Sequence, residues 1–556
     1  MKKKEEKTKV QMLEEKDSNK NQKGLVEDVK KDAKVEEKTP KSKKTKTIFV
    51  ISLICIIVIG GLVAFLLLKD KFIWSNEVEK SNKVYKSGYK LSGHSLENFD
   101  LYFLQAENNS KNMVYSPLSI KYALAMLSEG AAGNTKAQID SIIGEYKANK
   151  YTNSANMSFA NAMFIRNSFK KSVKSDYVNN LINKFGAEVV YDSFDNATNI
   201  NLWVKNKTLN MIDKLYDDET VKEFNYVLAN ALAIDMEWKQ FIQATNDTWK
   251  NEYSVSYSHE KYSDYIYLIG EMEYPSVKFN NNSMEAQAVQ IGASINNYDI
   301  VEALGEENIR KTVGDEYLKF LADGGCGNDE DLNTYLDRYI TELDSNYGKY
   351  KASTDFQFYV DDTVKVFAKD LKEYDGTTLQ YIGIMPRNDS LNNYIKNINV
   401  ENINNLINNL KDVKPESFNQ GVVTKITGYI PLFKFDYELD LIKDLQKLGI
   451  TDVFDITKAD LSNISSKAKT FIGEATHKAN IEFSNEGIKA SAVTAGGGKG
   501  AAGCWFDYLY DVPVEVIDLT FNNPYLFLIR DKNSGEVWFS GSVYEPNVHQ
   551  KIVYNY

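Results

Sequence analysis

Residues 477–500 read HKANIEFSNEGIKASAVTAGGGKG. The first part alternates. Ala479, Ile481 and Phe483 are apolar, while Lys478, Asn480 and Glu482 are polar, which is the period of a half-buried strand. Glu486-Gly487 interrupts the pattern, and a run of small or β-branched residues follows from Ala490 to Ala495. Three consecutive glycines, Gly496 to Gly498, end the run. Small, β-capable residues beside a glycine hinge describe a segment that can leave a surface loop and enter a crowded sheet.

Working outward, FNNPYLFLIRDKNSGEVWFSGSVYEP, residues 521–546, reads as a hairpin. Two apolar strands flank the polar turn Asp531 to Gly535. Far upstream stands NMVYSPLSIKYALAMLSEGAAGNT, residues 112–135. Met113 to Tyr115 end a short strand, and Ser116 can cap a helix. Pro117 then holds the first helical position, where a missing N–H costs nothing. Tyr122, Ala123, Met126 and Leu127 share one face of that helix, and Gly130 can end it.

These stretches, in this order, resemble the serpins, a family of suicide protease inhibitors. The 112–135 stretch is similar to the family's SPLSI…ALAMLSLGA…GNT motif. ANAMFIRNSF (160–169) resembles its third-strand segment, and INLWVKNKTLNMI (200–212) resembles IN.WV...T.G.I, with Asn210 at the family's glycine. VLANALAIDMEW (227–238) resembles LVNAIYFKGKW, placing Asn230 and Trp238. LQKLGITDVFD (445–455), ADLSNIS (459–465) and the terminal hairpin complete the series. Each motif alone is weak. Six or more in order, from about residue 95 to 547, are strong.

The resemblance implies an α+β serpin fold: three β-sheets surrounded by eight or nine helices, with an exposed reactive-centre loop. It assigns 485–515 to hinge and reactive loop. The hinge is Glu486, Gly487, Ile488, Ala490, Ala492 and Thr494. On insertion as a strand, Ile488, Ala490, Ala492, Thr494 and Gly496 would face inward, all uncharged, with Lys489 and Ser491 outward. Two departures stand out. The family prefers Thr or Ser at Ile488, and often has Glu at Asn485, so a buried ion pair near Trp238 would be missing. Ser116, Ser119, Asn230 and His477 match the family's polar cluster beneath the sheet, gate residues and not catalysts. Counting from Gly487, the reactive bond falls at Ala501-Ala502, suiting an elastase-like or subtilisin-like protease. Lys499 is an alternative for a trypsin-like protease. Cys504, with Trp505 and Phe506, is another for chymotrypsin-like or cysteine proteases. FDYLYDVPVEV (506–516) extends the far side of the cut. The family needs no cofactor, and its partner is a serine or cysteine protease.

Composition sets the context. The 556 residues are 43% hydrophobic, enough for a large core. A net charge of −11 with no basic groove argues against nucleic acid. Cys55, Cys326 and Cys504 are the only cysteines, and Cys55 lies in an apolar run, so at most one disulfide is available outside that run. His94, His259, His477 and His549 form no metal signature. Residues 47–68, TIFVISLICIIVIGGLVAFLLL, carry no charge and as a helix would span roughly 33 Å, enough for a bilayer core. KSKKTK (41–46) precedes them, so the N-terminus is expected in the cytoplasm and the remainder outside. A cleaved signal peptide is the alternative. Residues 1–46 hold 16 Lys against 10 acidic residues and read as a disordered basic tail, 69–90 as a stalk, and 91–556 as the serpin domain. Lys-, Asn- and Tyr-heavy usage with one N-terminal anchor points to a Gram-positive-like bacterium. Within the domain, about 243–350 is longer than the family allows. EENIRKTVGDEYLKFLADG and DEDLNTYLDRYITELDSNYGKY read there as two amphipathic helices on the rim. Cys326 sits between them in a GGCGN turn that looks exposed.

Two rivals remain. A serpin fold can serve as a binding or adhesion module without inhibiting anything, and the anchor and insertion fit that use. AGCW (502–505) resembles the nucleophile motif of papain-like proteases, which needs a Cys–His pair. Only His549 follows it, and the motif's preceding cysteine is absent.

Overall fold

The alternation at 477–483 is realised as a strand, Thr476–Phe483, which buries Ala479, Ile481 and Phe483 and leaves the polar residues between them partly exposed. The computed structural model describes residues 91–242, 269–488 and 506–555, apart from 145, 274, 297–299, 327–329, 348–349, 353, 419–421, 467–469, 486, 507 and 509. The tail 1–46, the apolar span 47–68 and the stalk 69–90 lie outside the described residues.

The strands that matter for function form a three-stranded and a two-stranded ladder, the two parts of what we call the first sheet. β1 (Met157–Arg166) runs parallel to β2 (Glu188–Asp192) on one side. On its other side it is antiparallel to β3 (Tyr226–Ile234), in register from Met157–Ile234 to Ile165–Tyr226. β4 (Met236–Glu237) continues β3 past Asp235. β5 (Phe433–Asp440) pairs antiparallel with β6 (Thr476–Phe483), from Phe433–Phe483 to Asp440–Thr476. Among the described residues no ladder joins β3 to β6. A two-residue strand, β7 (Gly487–Ile488), pairs with β4 at the top of the divide.

Helix α1 (Pro117–Gly130) packs behind this sheet. Its N-cap is Ser116, whose Oγ accepts from Ser119 N–H at 3.1 Å. Gly130 closes the last turn of the helix and does not lie beyond it; its role is steric, since a Cβ there would fall 2.4 Å from Ile464 Cγ1. On the front face, α2 (Thr198–Lys207) lays Ile200, Trp203 and Val204 over Ala160, Ala162, Phe164, Ala229 and Ala231. The small side chains on the strands let the helix approach closely. After α2 the chain turns through Leu209 and Asn210, both left-handed (φ +53° and +63°), a conformation Asn tolerates better than most residues. The family's glycine therefore has a conformational equivalent here.

A second sheet of seven strands contains the terminal hairpin, Tyr525–Asp531 and Val537–Val543. The hairpin sits inside this sheet and is covered on both faces, so Leu526, Phe527, Leu528, Ile529, Val537 and Trp538 are all fully buried. Each such side chain contributes about 1.5–3 kcal/mol on leaving water. In a third sheet Val423–Pro431 is flanked by Met284–Ile295, antiparallel, and Val514–Asp518, parallel.

Twelve α-helices occur among the described residues, three of them between 300 and 347: α3 (Ile300–Leu304), α4 (Glu306–Ala322) and α5 (Leu332–Tyr347). The last two are the amphipathic helices read from the sequence. The long stretch 243–350 is not all rim, however. Met284–Ile295 buries Ala286, Ala288, Val289, Ile291, Ala293 and Ile295 as a central strand of the third sheet, its alternation broken once at Ala288-Val289.

Candidate functional site

The site lies where the two parts of the first sheet face each other. At its upper end β6 stops at Phe483 and the chain reverses. Ser484 makes the reversal: its N–H and Oγ–H both donate to Gly487 O, at 3.0 and 2.9 Å. Gly487 and Ile488 then run antiparallel to β4, opposite Glu237 and Met236. A Cβ on Gly487 would lie 2.3 Å from Met236 O and 2.6 Å from Glu237 Cα, so only glycine fits this seat. Trp238, fully buried, donates its indole N–H to Ser484 O at 3.0 Å. Its ring meets Phe483 edge-on at 5.4 Å. Asn485 is held through its backbone, its carbonyl accepting from Ile242 N–H at 2.9 Å. The ion pairs around this corner, Lys372 with Glu237 and Lys434 with Glu482, are solvent-facing and involve other residues. Pairs of that kind contribute little, about 0–1 kcal/mol.

Lower in the divide, His477 Nε2 accepts the N–H of Ser116 at 2.9 Å, and Ser116 Oγ accepts Ser119 N–H. This links β6 to the start of α1. Desolvation of the imidazole lowers its pKa to about 4, so it is neutral at pH 7, as an accepting Nε2 requires. Asn230 belongs to a separate pair. Its Nδ2 donates to Asn161 Oδ1 at 2.6 Å across β3 and β1, and Asn161 Nδ2 in turn donates to Phe185 O at 3.1 Å. Ser116, Ser119 and His477 are therefore brought together, and Asn230 pairs across its own strands through Nδ2 alone, its buried Oδ1 taking no partner among the described residues.

Between these two ends is a narrow cleft lined by Met211, Ile234, Asn480, Ile481, Glu482, Ile529 and Phe539. Ile234 is the last residue of β3, and Asn480 to Glu482 belong to β6. Ile529 and Phe539 of the terminal hairpin also line it. β3 leads through β4 to Trp238, and β6 ends at Phe483 against the Trp238 ring, so the two strands converge on the same end of the divide. A chain leaving Gly487 along β4 has the opposite direction, which is that of a strand entering antiparallel to both. The remaining hinge residues Glu486, Ala490, Ala492 and Thr494, and the reactive-bond candidates Lys499, Ala501, Ala502 and Cys504, lie outside the described residues, as does the side chain of Ile488.

Two residues of this site escaped the sequence reading. Ser484 breaks the alternation of β6 and could have been flagged as the polar residue at the reversal. Asn161 is a polar residue within an otherwise apolar ten-residue strand, a pattern that calls for a partner.

A family model described as serpin (serine protease inhibitor) matches residues 98–301 and 327–546. Neuroserpin of Mus musculus is 25% identical over 465 residues, covering 80% of this chain and 88% of the relative. Intracellular coagulation inhibitor 2 of Tachypleus tridentatus is 23% identical over 462 residues, covering 79% and 86%. Among solved structures, the thermophilic serpin tengpin in its native state superposes with a TM-score of 0.51 at 22% identity, covering 81% of this chain and 93% of that one. Thyroxine-binding globulin in complex with thyroxine gives 0.51 at 15% identity, covering 81% and 97%. At such identities these two show the fold alone.

Proposed function

The chain belongs to the serpin family, and from that premise we propose that it is a suicide-substrate inhibitor of serine or cysteine proteases. The observation that carries this reading is the hinge: Gly487 and Ile488 already pair with β4 at the top of a sheet whose halves share no ladder among the described residues. The loop beyond the hinge is the bait. The protease nucleophile attacks the carbonyl of Ala501, the amide to Ala502 breaks, and an acyl-enzyme forms. The freed segment then continues the strand begun at Gly487 downward between β3 and β6, an ordering transition that carries the acylated protease away from the loop. The chain performs no catalysis of its own. Ser116 and His477 hold the base of the divide, and Trp238 with Ser484 holds its top.

A dozen new ladder bonds at about 0.5–1.5 kcal/mol each would release on the order of 10 kcal/mol. That energy is available only if the uncleaved form is kinetically trapped. In the same proposal residues 47–68 tether the inhibitor to a cell membrane with the serpin domain outside, where an elastase-like or subtilisin-like enzyme is the favoured target.

The test mixes residues 75–556 with elastase, subtilisin, trypsin, chymotrypsin and papain. An SDS-stable complex, with one cut between Lys499 and Phe506 found by mass spectrometry, supports inhibition. Cleavage with no complex from any of the five moves the non-inhibitory binding module ahead.

A further inference from the structure

The helices α3 to α5 do not stand free. They form a small core of their own, in which Ile300, Ile309, Val313, Leu336, Tyr339 and Leu343 are buried, and that core is completed by a segment far away in sequence, Phe506 to Val512. Phe506 inserts among the helices: its ring lies 5.1 Å from Tyr317, 5.4 Å from Phe320 and 5.8 Å from Tyr335. Tyr339 Oη donates to Tyr508 O and accepts from Tyr510 N–H, both at 2.9 Å, so one hydroxyl clamps the backbone at two points. Asn308 Nδ2 donates to Tyr510 Oη at 3.1 Å. Phe506, Tyr508, Tyr510 and Val512 thus lie against the helices before the chain joins the third sheet at Val514.

Cys326, in the turn after α4, is disulfide-bonded. The chain has only two other cysteines, Cys55 and Cys504. Gly325 is packed against the Phe320 ring, so closely that a Cβ there would lie 2.3 Å from it. Phe506 touches the same ring. Cys326 is thus one residue from a contact with Phe320, and Cys504 is two residues from another. Two residues of chain reach at most about 7 Å, and a disulfide joins Cα atoms roughly 4.4–6.8 Å apart. Cys55 stands in the uncharged apolar run 47–68, more than 250 positions from Cys326.

We propose that the helical insertion is a covalent anchor for the C-terminal limb of the reactive loop, with Cys326 bonded to Cys504 and Phe506 to Tyr510 seated on α4 and α5. This rests on the reading of 485–515 as the loop. It makes the insertion part of the inhibitory apparatus, because it fixes the chain only a few residues beyond Ala501-Ala502. It also removes Cys504 as the scissile residue, since a side chain held in a disulfide cannot enter a protease pocket. Forming the bridge takes two electrons and two protons from the two thiols. Thiol–disulfide exchange with a disulfide-bearing oxidoreductase supplies that oxidation, the oxidant ending as a dithiol.

The test uses the full chain, alkylated without reduction and digested with trypsin. The expected product is a linked pair, Phe320–Arg338 joined to Gly500–Arg530, which separates on reduction. A pair containing Cys55, or Cys504 recovered alkylated, overturns the proposal. A second arm cuts the native chain with elastase or subtilisin and compares gels with and without reductant. The fragment from the cut to Tyr556, roughly a tenth of the 63.2 kDa chain, should leave only on reduction in the wild type and in Cys55→Ser. It should leave without reductant in Cys326→Ser. Its release from the unreduced wild type also overturns the proposal. Neither arm requires a trapped protease, so the inhibition reading can fail while the anchor stands.

Discussion

Gly487 marks the point at which a loop residue becomes a sheet residue, and it tolerates no side chain there. Gly487→Ala places a methyl within 2.3 Å of Met236 O, a backbone atom that cannot swing aside. Overpacking of this kind costs about 1–3 kcal/mol, and relief requires the hinge to withdraw from β4. Urea unfolding should show that loss, and an unchanged midpoint would mean the seat contributes nothing. On the proposed insertion Ala490, three residues on, faces inward. Ala490→Arg would bury an unpaired charge, so the variant should be cut as readily as wild type yet trap little protease on an SDS gel; undiminished trapping would refute insertion. His477 gives a pH signature. Its pKa is about 4 when folded against 6.5 in the free side chain, so as pH falls through 6.5 the unfolded chain takes up the proton first. Stability is lost between about pH 6.5 and 4, and the loss ends below 4. The full span is at most roughly 3 kcal/mol. Because other groups titrate in the same range, the measurement is the difference between wild type and His477→Gln. The variant should show the shallower pH slope over that window, and parallel slopes would remove His477 from the account.

Among the elements, what could be read from sequence was what local chemistry determines. Ser116-Pro117 announced α1, the alternation at Ala479, Ile481 and Phe483 announced β6, and the polar turn between apolar runs announced the terminal hairpin. The partner of the insertion was not legible, because Tyr339 and Tyr508 meet across 169 positions. No local period encodes such a contact. A signal did exist: Phe506, Tyr508, Tyr510 and Val512 alternate with Asp507, Leu509 and Asp511, a strand-like pattern needing an apolar surface. Nothing in the sequence said that the surface was α4 and α5. The division between β3 and β6 was equally hidden, since it is an absence of pairing among the described residues. Tyr339→Phe tests the anchor as an element. It removes the donor to Tyr508 O and the acceptor for Tyr510 N–H while keeping the ring. At about 0.5–1.5 kcal/mol per bond, hydrogen exchange over 506–512 should quicken by about tenfold. Unchanged exchange would show the clamp to be incidental.

For the whole molecule the decisive quantity is how stability changes on cleavage. Breaking a peptide bond in an ordinary protein cannot make it more stable, since it only frees chain ends. In this fold the hinge stands at the head of a divide that no ladder bridges among the described residues, with Ser116 and His477 linked at its foot and apolar Ile234, Ile529 and Phe539 lining the cleft. Filling that divide with a strand from the loop adds on the order of 10 kcal/mol in ladder bonds. Unfolding entropy near 2.1 cal/mol/K per residue, taken over a domain of this size, amounts to about 1 kcal/mol/K. The Tm should therefore rise by roughly 10 °C after a single cut between Lys499 and Ala502. The anchor sharpens the measurement, because a C-terminal limb bonded through Cys326 cannot dissociate and lower the Tm for an unrelated reason. The rise should vanish in Ala490→Arg, which is cut but cannot fill the divide. A wild-type chain whose Tm stays level or falls after that cut would mean that the loop does not enter the sheet, and inhibition by insertion would have to be abandoned.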